Sequence, residues 1–276
     1  LKVAGIPFPI LTPFTSSSRE NLSYSKINAN KLVGDLFSYD EFKTAFDTIL
    51  GGAGIESYSL SRFDMRFDSF DPEHYRDYAK LNRYLISALA VTYNVQNCYD
   101  SRNLFSQKQL SVAIKNKRFE CENYDKEAES GGRDPAYARL ELRSKCLTSN
   151  DIEKQFHGWY TRLDKALKNL DKVHQRYNDE LEKIYKEEKN SFPVKFRSLT
   201  DFLIQYQNCI FCKAQMVDLL SRFDEVKNPE TRAKNHKKRY GIEYFSKMDV
   251  EYAVAEIKRA AEKFFKGTEM NLFEKS

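Results

Sequence analysis

The chain has 276 residues, with 45 Lys and Arg against 40 Asp and Glu, a net charge of +5 and a pI near 8.7. Hydrophobic residues reach 41% and aromatics 14%, with only 10 Gly and 7 Pro, which excludes disordered and collagen-like classes and leaves enough apolar material for one large domain or two modest ones. No run of 18 apolar residues occurs, so no membrane span is expected. The odd count of 5 Cys reads as the reduced thiols of a cytoplasmic chain.

Residues 12–18 are loop-like, and residues 22–27 predict a strand. A helix is expected over residues 39–50, with Phe42, Phe46, Ile49 and Leu50 on one stripe and Gly51-Gly52 stopping it. Residues 59–68 form the clearest strand. Ser61, Phe63, Met65 and Phe67 share one face; Arg62, Asp64, Arg66 and Asp68 share the other. Pro72 opens a helix running to Ala90. Residues 91–99 and 110–114 alternate as strands. Two further strands carry the same two-faced pattern. In residues 117–124, Phe119 and Cys121 oppose Arg118, Glu120, Glu122 and Tyr124. In residues 136–146, Ala138, Leu140, Leu142 and Cys146 oppose Tyr137, Arg139, Glu141, Arg143 and Lys145. Ser130, Gly131, Gly132, Asp134 and Pro135 turn the chain between them.

Beyond residue 150 glycine nearly vanishes and helical periodicity takes over. One helix is expected from Ile152 to Lys189, a second from Leu199 to Phe223, a third from Pro229 and a fourth over residues 249–265. The fold class is therefore α+β: an antiparallel sheet backed by helices over residues 1–149, then an all-helical C-terminal domain over residues 150–276.

No glycine-rich phosphate loop or dinucleotide fingerprint occurs, and the four His have no metal spacing. Cys209 and Cys212 fall inside an expected helix and read as buried thiols. Lys234, Lys237, Lys238 and Arg239 form a basic cluster, either a solvated helix end or a set of DNA-phosphate contacts assisted by the amides of a helix start. A charged strand face is ordinarily just a solvated one. Here it holds paired Asp, Glu and Arg with a Tyr, and like charges on neighbouring strands cost energy unless a cation lies between them.

The runs Arg62-Phe63-Asp64 to Asp68, Arg118-Phe119 to Tyr124-Asp125-Lys126 and Glu129, and Arg139-Leu140-Glu141-Leu142-Arg143 resemble, in order and spacing, three segments of rolling-circle replication initiators. The nearest in pattern are the initiators of staphylococcal-type plasmids and the related relaxases of integrative conjugative elements. The resemblance covers residues 60–145. It departs in one extra residue before Tyr124, in Asp125 where Asn is usual, and in lacking a His-hydrophobic-His pair.

The resemblance implies an HUH-like nicking domain. Tyr124 would attack a DNA phosphodiester to give a 5′-phosphotyrosine and a free 3′-hydroxyl. Arg62, Lys126 and Arg139 would neutralise phosphate oxygens, and Asp64, Asp68 and Glu141 would hold Mg²⁺ or Mn²⁺, hard cations that suit carboxylates. It also implies DNA as partner, a replication origin or transfer origin that is single-stranded at the nick, with a host helicase and a homodimer as further associations. Two other classes stay open: a plasmid or phage origin-binding protein without catalysis, and a structural helical protein.

Overall fold

The alternating segments between residues 62 and 145 pair into one antiparallel sheet, because each can bury an apolar face only by lying beside the others. The structure is a computed structural model. It describes four short strands before residue 27, then residues 38–52, 54, 62–69, 71, 73–95, 103–125, 127, 131–132, 137–145, 147, 151–189, 191, 193 and 195–266. The chain divides into two compact units, Leu1–Ser59 with Lys258–Ser276, and Leu60–Ile257. The expected boundary at residue 150 falls inside the second unit.

In the first unit β1 (Lys2–Val3) pairs with β2 (Ile6–Pro7), and β3 (Thr12–Thr15) with β4 (Ser23–Lys26), both antiparallel. Residues 12–15, read as loop from their Thr and Pro content, are thus a strand. A two-stranded ribbon consists only of edges, where Pro is tolerated. Helix α1 (Tyr39–Gly52) starts at a reciprocal cap: the Glu41 amide donates to Ser38 Oγ (3.3 Å) and the Ser38 amide to Glu41 Oε2 (3.1 Å). Tyr39 packs against Phe264 and Phe265, with ring centroids 6.2 and 5.5 Å away.

In the second unit β5 (Arg62–Ser69), β6 (Val112–Lys115), β7 (Phe119–Asp125) and β8 (Ala138–Lys145) lie in the order β5-β8-β7-β6. Gly131 and Gly132, at φ 65° and 80°, make the β7–β8 turn in a region that other residues enter only under strain. Helix α2 (Tyr75–Tyr93) covers the apolar face, where Ile114, Cys121, Leu140 and Leu142 are buried. Residues 91–93, expected as strand, continue α2, which Asn94 ends in the left-handed region at φ 53°. Tyr93 extends the helix's inward stripe and meets Phe119 edge-on at 5.2 Å. The Val95 amide donates back to the Ala90 carbonyl (2.8 Å), and residues 96–99 of that expected strand lie outside the described residues. Deep in α2, fully buried Arg83 donates to the carbonyls of Gln107 (2.7 Å) and Gln109 and to the Tyr177 hydroxyl (3.3 Å).

The helix expected over residues 152–189 is two, α3 (Ile152–Leu167) and α4 (Leu170–Lys189). The break falls at Asn169, whose Nδ2 donates to Thr92 Oγ1 and to the Lys165 carbonyl, both at 3.1 Å. The helix expected over residues 199–223 is also divided, into α5 (Leu199–Gln205), a 3₁₀ turn (Gln207–Cys209) and α6 (Lys213–Ser221). Between them Phe211 leaves the helical path to stack on Tyr84 at 4.5 Å, so core filling overrides local periodicity. Cys209 and Cys212 are accordingly not inside one helix. Cys209 is buried and donates to the Gln107 carbonyl; Cys212 caps α6 and lies 3.6 Å from His174 Nε2. Helices α7 (Pro229–Tyr240) and α8 (Lys247–Lys266) follow.

Trp159 ties α3 to the sheet. Its ring is fully buried, Nε1 donates to Ser144 Oγ on β8 (3.0 Å), and its edge meets Phe119 at 5.3 Å. Trp159→Ala is expected to cost about 3–5 kcal/mol, from the lost apolar burial and the cavity left behind. Urea denaturation followed by circular dichroism measures it. A cost below about 1 kcal/mol would mean that the sheet stands without the helices.

Candidate active site

Period-two alternation places Arg62, Asp64, Arg66 and Asp68 of β5 on the same face as Arg139, Glu141, Arg143 and Lys145 of β8 and Glu120, Glu122 and Tyr124 of β7. Asp64, Asp68, Glu141 and Tyr124 thus share one face, as expected from the strands alone. In register, Asp64 faces Arg143, Arg66 faces Glu141, and Asp68 faces Arg139. Across the next pair Glu120 faces Arg143, Glu122 faces Glu141, and Tyr124 faces Arg139.

Glu122 and Glu141 are directly opposed like charges. Arg143 answers them. Its guanidinium bridges Glu120, Glu122 and Glu141, donates to the Tyr124 hydroxyl at 2.7 Å, and sets Nε 3.7 Å from Asp64 Oδ2. Burial opposes its charge, and the nearby carboxylates Glu141 and Glu122 outweigh that and raise its pKa. Lys145 adds a second cation on Glu120 at 3.2 Å. The outer carboxylates are committed too. Arg62 grips Asp64 with Nε at 2.7 Å and Nη2 at 2.6 Å; Arg139 grips Asp68 at 2.7 and 2.8 Å.

This arrangement bears on the divalent ion. The cation between the expected ligands is the Arg143 side chain, and Asp64, Asp68 and Glu141 each face an arginine. Among the described residues no group of three or more His, Cys, Asp or Glu is placed to hold a metal ion. The donor set as arranged does not fit Mg²⁺ or Mn²⁺, which want several converging oxygens. Lys126 lies outside the described residues.

The Tyr124 phenol is half-buried between β7 and β8. Burial raises its pKa above the usual value. Its hydrogen bond to Glu122 and the charges of Glu122 and Glu141 add to this, while Arg143 pulls the other way. A phenol of this kind stays protonated at neutral pH and needs a base to act as a nucleophile. Glu122 already accepts a hydrogen bond from it. Glu120, Glu122 and Arg143 carry no role in the site expected from the motifs, although the alternation that singles out Tyr124 and Glu141 sets all three on the same face.

The basic cluster is elsewhere. Lys234, Lys237, Lys238 and Arg239 are exposed on α7, the last three in its final turn. The α7 amide end is at Pro229, capped by Asn228, so the expected help from helix-start amides does not reach them. Instead the cations complement the carbonyl end of the helix dipole. Lys237 also pairs with Glu243 at 3.2 Å.

Comparison with known proteins matches no family model, no curated protein and no solved structure.

Proposed function

We propose that the charged sheet face is an HUH-like DNA nicking–joining site with Tyr124 as nucleophile. The observation that carries this reading is the triplet of Tyr124, Glu122 and Arg143, in which one hydroxyl has both a carboxylate for its proton and a guanidinium for the phosphate. Glu122 takes the phenol proton as the Tyr124 oxygen bonds to phosphorus. The bond from phosphorus to the 3′ oxygen breaks. That oxygen takes a proton from water and leaves as a 3′-hydroxyl, and the strand remains on Tyr124 as a 5′-phosphotyrosine. Arg143, with Arg139 across the strand pair, offsets charge growing on the phosphate. The reverse transfer rejoins the strand. No step is routed through a divalent ion.

The test is incubation with labelled single-stranded DNA from the native origin, once with Mn²⁺ and once with EDTA. A covalent adduct whose peptide maps to Tyr124 supports the reading, and no adduct in either arm overturns it.

A second reading, DNA binding without cleavage, is favoured by the same phenol, which is held protonated and hydrogen-bonded as a structural tyrosine would be. In both readings α7 supplies part of the duplex grip. Neutralising Lys234, Lys237, Lys238 and Arg239 together is expected to weaken origin binding. The log–log salt slope should fall by up to about 0.9 for each phosphate no longer engaged, while cleavage of a short single strand changes little. An unchanged salt slope would leave the cluster as a solvated helix end.

A further inference from the structure

Beside Tyr124 the sheet opens into a cleft of about 490 Å³, lined among others by Arg76 from α2, Gln109 and Ser111 before β6, and Gln207 and Asn208 from the 3₁₀ turn. This volume is in the range of small-ligand sites. Gln109, Gln207 and Asn208 give it three carboxamide residues, and the side chains of Gln109 and Gln207 make no hydrogen bond among the described residues. Asn208 donates Nδ2 to the Lys108 carbonyl (2.9 Å), which leaves Oδ1 as an acceptor. Arg76 donates Nε to the Tyr75 hydroxyl (3.0 Å), and Tyr75 in turn donates to Glu127 (3.0 Å).

The walls are fixed from behind. Asn123 Nδ2 donates to the Leu110 carbonyl (2.9 Å), the Asp125 amide donates to Ser111 Oγ (2.9 Å), and Arg83 holds the Gln109 carbonyl.

We infer that this cleft receives one unstacked base of the single strand next to the phosphate at Tyr124, and that Gln109, Gln207 and Asn208 read its edge. The inference rests on the nicking reading for the presence of the strand. Carboxamides pair with the donor–acceptor edges of bases, and a guanidinium plane offers a surface for stacking. An acceptor at Asn208 Oδ1 favours a base with an exocyclic amino group, adenine, cytosine or guanine, over thymine, which has no amino group and offers only its ring N3–H as a donor.

The test uses the Tyr124→Phe chain, so that only binding is read. Fluorescence anisotropy compares a short thymidine strand with the same strand carrying one dA. The strand with dA is expected to bind about tenfold more tightly. In the Gln109→Ala/Gln207→Ala/Asn208→Ala variant that gain should vanish, while affinity for the thymidine strand persists. Equal binding of the two strands, or a gain that survives the triple substitution, overturns the inference. Free dAMP that displaces the strand at matching concentration would assign the cleft to a free nucleotide and also overturn it. Absence of a covalent adduct in the unmodified chain would sink nicking but leave a measured base preference standing. Absence of any strand binding would remove both.

Discussion

Tyr124→Phe is expected to abolish covalent adduct formation, with a loss of roughly three orders of magnitude or more, as when a nucleophile is deleted. Only one oxygen is removed. The hydrogen bonds to Glu122 and from Arg143 go with it, yet those two side chains still hold each other, so the fold should lose about 1 kcal/mol or less. Affinity for single-stranded DNA should be almost unchanged. The decisive comparison is single-turnover adduct yield beside a melting curve on the same preparation. A Phe variant that still forms adduct at near the original rate assigns the chemistry to another hydroxyl. Glu122→Gln should then separate the roles: as the proton acceptor it is expected to cost about 10²–10⁴-fold in rate with the nucleophile still in place.

The second large effect concerns stability. Arg143 is only 9% exposed and stands among Glu120, Glu122, Glu141 and Asp64. Removing one partner of a buried ion network leaves uncompensated charge, and Arg143→Ala is expected to destabilise the second unit by about 3–5 kcal/mol. Here several carboxylates lose their common partner at once. Adding Glu122→Gln to the Arg143→Ala chain should recover part of the loss, because it removes one member of the directly opposed Glu122–Glu141 pair. Equilibrium denaturation of both single variants and the double variant closes the cycle. If the two changes simply add, Arg143 is not what reconciles these two carboxylates.

The sheet was legible because its signal is local. Arg62 to Asp68 and Arg139 to Lys145 alternate strictly, and with one face needing burial a single register satisfies both strands. The shared face of Tyr124, Asp64 and Glu141 follows from that alternation alone. What occupies the space between the carboxylates did not follow, since a metal ion and an arginine solve the same electrostatic problem, and only cross-strand register puts Arg143 opposite both Asp64 and Glu120. The helix breaks at Asn169 and before Phe211 were invisible for a related reason. Their apolar spacing suits a continuous helix, and partners distant in the chain, Thr92 for Asn169 and Tyr84 for Phe211, decide otherwise.

The pairing of β5 with β8 has a consequence in time. The nearest partners across that pair, Ser69 and Ala138, are separated by 138 − 69 = 69 residues. On a ribosome adding about 5–20 residues per second, β5 waits roughly 4–14 seconds for its neighbour to be made. During that interval Phe63, Met65 and Phe67 have no sheet to join, while β6, β7 and β8 assemble as consecutive antiparallel neighbours soon after synthesis. The β5 strand is therefore the last to enter the sheet.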